Sequence, residues 1–167
     1  MNDNFVKVAL YAYPMLRTIG EDYEAHIKNM AILSYRGIET AEETVERIAR
    51  TILEKRRLEQ LKETVEKVLD ELSELERTLL SIRYFGGTRK KKNAPPELLA
   101  WSESKYFRKQ ARLFSKVSAM MKREGLTEER FEEEYAQIDI FERVYKFVAE
   151  GKDCKIGGRE KKWLKGG

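Results

Sequence analysis

Eight apolar residues recur along one stretch of this chain at alternating steps of three and four: Leu58, Leu61, Val65, Val68, Leu72, Leu75, Leu79 and Ile82. Such steps keep side chains on one stripe of an α-helix, whereas a strand alternates faces every two residues and would scatter the set. The stretch is therefore expected to be helical and one-sided. Its stripe must be covered, as in a coiled-coil seam. Intramolecular core is the expected cover; a homodimer through Leu58–Ile82 is the alternative.

The rest of the chain carries helical punctuation. Pro14 kinks or splits a first helix over residues 4–19, which ends near Gly20. A second helix covers 21–36, with Glu21 and Asp22 at its positive end and Gly37 after it. Thr40 and Glu43 form a capping box that opens a long third helix. A second box, Ser73 and Glu76, lies inside the seam. Either the helix breaks near Asp70–Ser73 or the box is idle and one helix runs to Phe85, before Gly86 and Gly87. Pro96 starts a short helix, PELLAW, over residues 96–101. Ser102 or Ser104 caps the next helix, which stops at Gly125. Thr127 caps a last one to about Glu150. An all-α, multi-helix protein is expected, with every glycine just named at or beyond a helix end. Four regions follow: residues 1–71 as a helical support or dimerisation region, 72–125, a packing helix over 126–150, and a basic tail over 151–167.

Charge is unevenly placed. Residues 1–85 hold 13 cations and 16 anions, residues 86–125 hold 11 and three, residues 126–150 hold three and eight, and the tail holds six and two. A basic middle segment in a chain of net charge only +4 points to a localised polyanion site. No apolar run reaches the length of a membrane span. The N-terminal residues do not read as a secretory signal. Cys154 is the single cysteine, so no internal disulfide can form and a reducing cytoplasm is expected.

Within the basic segment Lys105, Lys109, Arg112 and Lys116 follow steps of four, three and four. On a helix they share a strip roughly 60° wide. Phe107, Ala111, Phe114, Ser118 and Met121 are expected to form its buried side. A cationic strip of this shape suits a nucleic-acid groove; a solvated face of an amphipathic helix is the plain alternative.

The segment LSELERTLLSIRYFGG, residues 72–87, resembles the first helix of region 4 in the sigma-70 family of bacterial transcription initiation factors. The resemblance rests on Ser73, the Glu76–Arg77 pair, Leu79–Leu80, and Arg83–Tyr84 before a glycine turn. It implies a helix-turn-helix over residues 72–125, in which PELLAW supports and the helix after Ser102 enters the major groove. The supporting helix departs from the family pattern in having Glu97-Leu98-Leu99-Ala100, the loop TRKKKNAPP is long, and nothing matches the family's region 2. The resemblance is therefore to small sigma-like regulators of bacteria and phages, and it implies a non-enzymatic transcription regulator that binds duplex DNA sequence-specifically. In such a helix the early residues Ser104, Lys105, Arg108 and Lys109 meet base edges, with Arg108 able to pair bidentately with guanine. Arg112 and Lys116 lie further along and hold phosphate; Arg89, Lys90, Lys91 and Lys92 clamp backbone beside the groove. The alternative is a helical module whose basic face binds an acidic protein such as RNA polymerase.

Other chemistry has little footing. His26 is the only histidine and lacks cysteine neighbours, so no metal site is expected. No carboxylate pair stands out among many, so no catalytic residues and no cofactor are expected. Phe107 is expected in the core; Tyr106 could stack on a base or be buried. In the last helix Phe131, Tyr135, Ile138, Phe141, Tyr145 and Val148 are expected inward, with Val144 at the edge.

Overall fold

The computed structural model describes residues 3–34, 40–86 and 95–151. Among these residues there are seven helices and no strand: α1 (Asn4–Ser34), α2 (Ala41–Asp70), α3 (Glu74–Tyr84), α4 (Pro96–Leu99), α5 (Glu103–Arg123), α6 (Glu128–Glu134) and α7 (Asp139–Ala149). The expected all-α class holds. No described helix is long and apolar enough to cross a membrane. Residues 87–94 and the tail from 152, with Gly37 and Gly87, lie outside the described residues.

The first expected helix does not stop at Gly20, and Pro14 does not split it. α1 runs unbroken for 31 residues. Its first half buries Val6, Leu10 and Leu16, and its last turns bury Met30. Pro14 sits on the exposed side, although the carbonyl that loses its donor belongs to Leu10, a fully buried residue. Tertiary packing thus outweighs the local preference of both residues. α2 lies antiparallel to α1: Tyr13 shares a groove with Leu69, while the Tyr23 hydroxyl donates to Glu54 Oε2 at 2.9 Å. Burial and this bond to the Glu54 carboxylate push the Tyr23 hydroxyl pKa up to about 12. A Cβ at Gly20 meets nothing within 4 Å. Gly20→Ala is therefore expected to raise stability by about 0.5–1 kcal/mol in urea denaturation, since alanine loses less backbone entropy in a helix.

The seam breaks where the second capping box stands. Ser73 accepts from the Glu76 N–H at 3.2 Å, and Glu76 Oε1 accepts from the Ser73 N–H at 3.1 Å. α2 ends and α3 restarts across this cap, so the stripe bends yet stays inside. Leu58, Leu61, Val65, Val68, Leu72, Leu79 and Ile82 are all buried in one copy of the chain, and Leu75 is half-buried. Leu75, which borders a groove beside α5, is the one seam residue left partly open. One cluster of buried side chains runs from Phe5 of α1 to Val148 of α7 and takes in Leu98 of α4 and Phe131 of α6.

The expected last helix is two. α6 and α7 are separated by a turn at Tyr135–Ile138, which aims Phe131, Tyr135, Ile138 and Phe141 into the core together. The rings form a cluster: Phe131–Phe141 centroids are 5.7 Å apart and Tyr135–Phe141 5.6 Å, both edge-on. The turn resets the helical phase. Val144 is buried and Tyr145 is 46% exposed, the reverse of a continuous helix. Gly86 and Gly125 do end helices, at φ +68° and +92°, a region that side-chain-bearing residues rarely adopt.

Candidate nucleic-acid interface

α5 carries the expected site, and its local sequence explains where it begins. Ser102 is the N-cap, with extended backbone and its hydroxyl accepting from the Lys105 N–H at 3.2 Å. Ser104 is therefore inside the helix and exposed.

The buried side of α5 is the expected one only in part: Ser118 and Met121 are buried, but its centre is shifted. Tyr106, Gln110, Leu113, Val117 and Met121 face the core, together with Ser118 and Met120; Phe107 and Phe114 are half-buried and Ala111 is exposed. Gln110 explains the difference. Its amide donates to the Leu79 carbonyl of α3 at 2.8 Å and to the Tyr106 hydroxyl at 3.0 Å, so a polar residue is paid for at the centre of a buried face. Tyr106 is fully buried and has no face for a base. The cationic strip consequently flanks the core side instead of opposing it, and Arg108, Ala111 and Ser115 point outward.

The strip divides into parts with different surroundings. Lys105 and Lys109 are half-buried, with their ammonium groups 5.4 and 6.0 Å from the centre of the Trp101 ring, within cation–π range. Trp101, in the turn between α4 and α5, had no role in the sequence reading; it is held by its backbone N–H on the Leu98 carbonyl. Its place one turn before Lys105 was the available signal. Arg108 and Arg112 are exposed. None of Lys105, Arg108, Lys109 and Arg112 is ion-paired to a carboxylate among the described residues.

The C-terminal half differs. Lys116 Nζ contacts Glu76 of α3 at 2.9 and 3.1 Å, Lys122 pairs with Asp3 at 2.9 Å, and Arg123 pairs with Glu71. Burial pulls the Glu76 carboxyl pKa upward, but hydrogen bonds from Lys116 and from the Ser73 backbone outweigh it and leave the group below its usual value. Glu76 is thus ionised at neutral pH and offsets part of the Lys116 charge, although the Lys116 side chain stays half exposed. Arg112, Lys109 and Lys116 border a groove of about 290 Å³ between α3 and α5, which Glu97 and Trp101 close at the α4 end.

The supporting helix is a single turn, Pro96–Leu99, anchored by fully buried Leu98. Arg89, Lys90, Lys91 and Lys92 lie outside the described residues, as does Cys154. His26 is exposed on α1. No protein-family profile matches the chain, and neither a curated protein nor a solved structure matches it.

Proposed function

We propose that this protein is a non-enzymatic, sequence-specific duplex-DNA-binding transcription regulator, with α3, α4 and α5 in the roles of a sigma-region-4-like helix-turn-helix. One observation carries the reading. Along α5 the cations of the first turns are unpaired with carboxylates, whereas Lys116, Lys122 and Arg123 of the later turns pair with Glu76 of α3, with Asp3 just before α1 and with Glu71 of the α2–α3 turn. The positive field is thus concentrated at the helix end that a recognition helix inserts into a major groove. Ser104 and Arg108 are the base-reading candidates, with Lys105 and Lys109 steadied by Trp101, and Arg112 holds phosphate.

Fluorescence anisotropy on a naked duplex at 50 and 200 mM salt tests this. Three phosphate contacts, from Lys105, Lys109 and Arg112, correspond to a slope of about −2.7 and a weakening of about 40-fold over that range. A duplex library selected by the protein is expected to enrich a motif, and Arg108→Ala to lose about 1–3 kcal/mol on that motif only. Failure to bind any duplex at 50 mM salt, with capture of RNA polymerase in a DNA-free pulldown, would instead support the acidic-partner reading.

A further inference from the structure

α2 changes character along its length. From Leu58 onward its inner positions enter the core, but toward its N-terminus Thr44 is the only buried residue. There Val45, Ile52 and Leu53 are 66%, 49% and 48% exposed. Val45, Ala49, Ile52 and Arg56 follow steps of four, three and four, so they share a strip roughly 60° wide, with Leu53 at its border. Glu42 extends the strip by one turn. The strip is therefore acidic at one end, apolar in the middle and basic at the other. Glu42 and Arg56 are both exposed, and neither is ion-paired among the described residues.

We infer that this strip docks on the same strip of a second copy, antiparallel, about a two-fold axis at Ala49. The charge order selects that partner and that direction. With the axis at Ala49, Glu42 of each copy meets Arg56 of the other, and Val45 meets Leu53. A parallel pairing sets Glu42 on Glu42 and Arg56 on Arg56. The surface is its own complement, which is the requirement of an isologous contact. The small Ala49 side chain at the axis lets the two helices approach closely. The surface is separate from the buried seam and from α5, so the inference does not rest on the DNA-binding reading. One helix face per copy lies at the small end of interface sizes, and a dissociation constant of about 10–100 µM is expected.

Sedimentation equilibrium of the whole chain from about 1 to 300 µM tests this, since that span brackets the expected constant. The apparent mass is expected to rise from monomer toward dimer. Arg56→Glu and Glu42→Arg, each placing like charges together, should each weaken association at least about tenfold, while the double variant restores it to within about threefold. Circular dichroism verifies that the variants stay helical. Because Glu42→Arg also removes an acid from the first turn of α2, Ile52→Lys provides a mid-strip variant free of that effect, and it should leave only monomer. Monomer throughout the range overturns the inference. So does a dimer that none of these variants weakens, or a double variant that stays as weak as the singles.

Discussion

Phe141→Ala is expected to destabilise the protein by about 3–5 kcal/mol, the cost of deleting a fully buried aromatic ring. Phe141 is 0% exposed and meets Phe131 and Tyr135 edge-on, so truncation leaves a cavity that two rigid neighbours cannot fill. It also removes the apolar anchor of α7, which packs along α1. A domain has a margin of about 5–15 kcal/mol, so the loss is a large share of the whole. Urea denaturation followed by circular dichroism measures it. Tyr145→Ala on the same helix is the control and should change stability by no more than about 0.5 kcal/mol, since Tyr145 is exposed. A loss at Tyr145 as large as that at Phe141 would instead put both side chains inward, as one uninterrupted helix over residues 127–150 would.

Replacing Lys105, Arg108, Lys109 and Arg112 together by alanine is expected to weaken duplex binding at least about 100-fold at 50 mM salt and to flatten the salt slope by about three contacts, those of Lys105, Lys109 and Arg112. Lys116→Ala should behave differently. Its ammonium is bound by Glu76, so its loss should weaken binding less than about threefold and leave the slope nearly unchanged. Glu76→Gln is the converse. Glutamine can keep the cap on the Ser73 N–H, as capping boxes accept either residue. The substitution removes the negative charge and frees Lys116, so binding should tighten and the slope steepen by about one contact. The measurement is anisotropy titration at several salt concentrations. If Lys116→Ala costs as much as Arg112→Ala, the ion pair with Glu76 opens on binding and the division of α5 into open and neutralised halves fails.

The α2 strip bears on how such a protein would engage DNA. A two-fold dimer presents two copies of α5, and a paired site would then be read as two half-sites at a spacing the dimer sets. Each proposal stands without the other: a monomer can bind a single half-site, and a dimer can form without DNA.

Helix existence was legible because it depends on local signals. The N-caps at Thr40 and Thr127, the capping box at Ser73, Pro96 at a helix start, and Gly86 and Gly125 beyond helix ends all act within one turn of the chain. The seam's burial was legible as well, because steps of three and four leave an apolar stripe that water must not cover. What the residues around Pro14 and Gly20 do was not, since both are helix breakers until a second helix covers their neighbours; α2 does so, through contacts some 30 to 55 residues away in sequence. The phase of α5 was hidden for a related reason. Gln110 reads as polar, and only the Leu79 carbonyl and the Tyr106 hydroxyl, supplied by the fold, make it a buried residue. The same holds for the cations: spacing placed Lys105, Lys109, Arg112 and Lys116 on one strip, but a charge acts through what lies opposite it. The sequence by itself determined that this is an all-helical chain with a basic helix after Ser102. Only the tertiary structure decided which of that helix's charges stay open, because the partners that neutralise the others, Asp3, Glu71 and Glu76, come from 119, 52 and 40 residues away, and pairing over such distances is set by packing and not by local pattern.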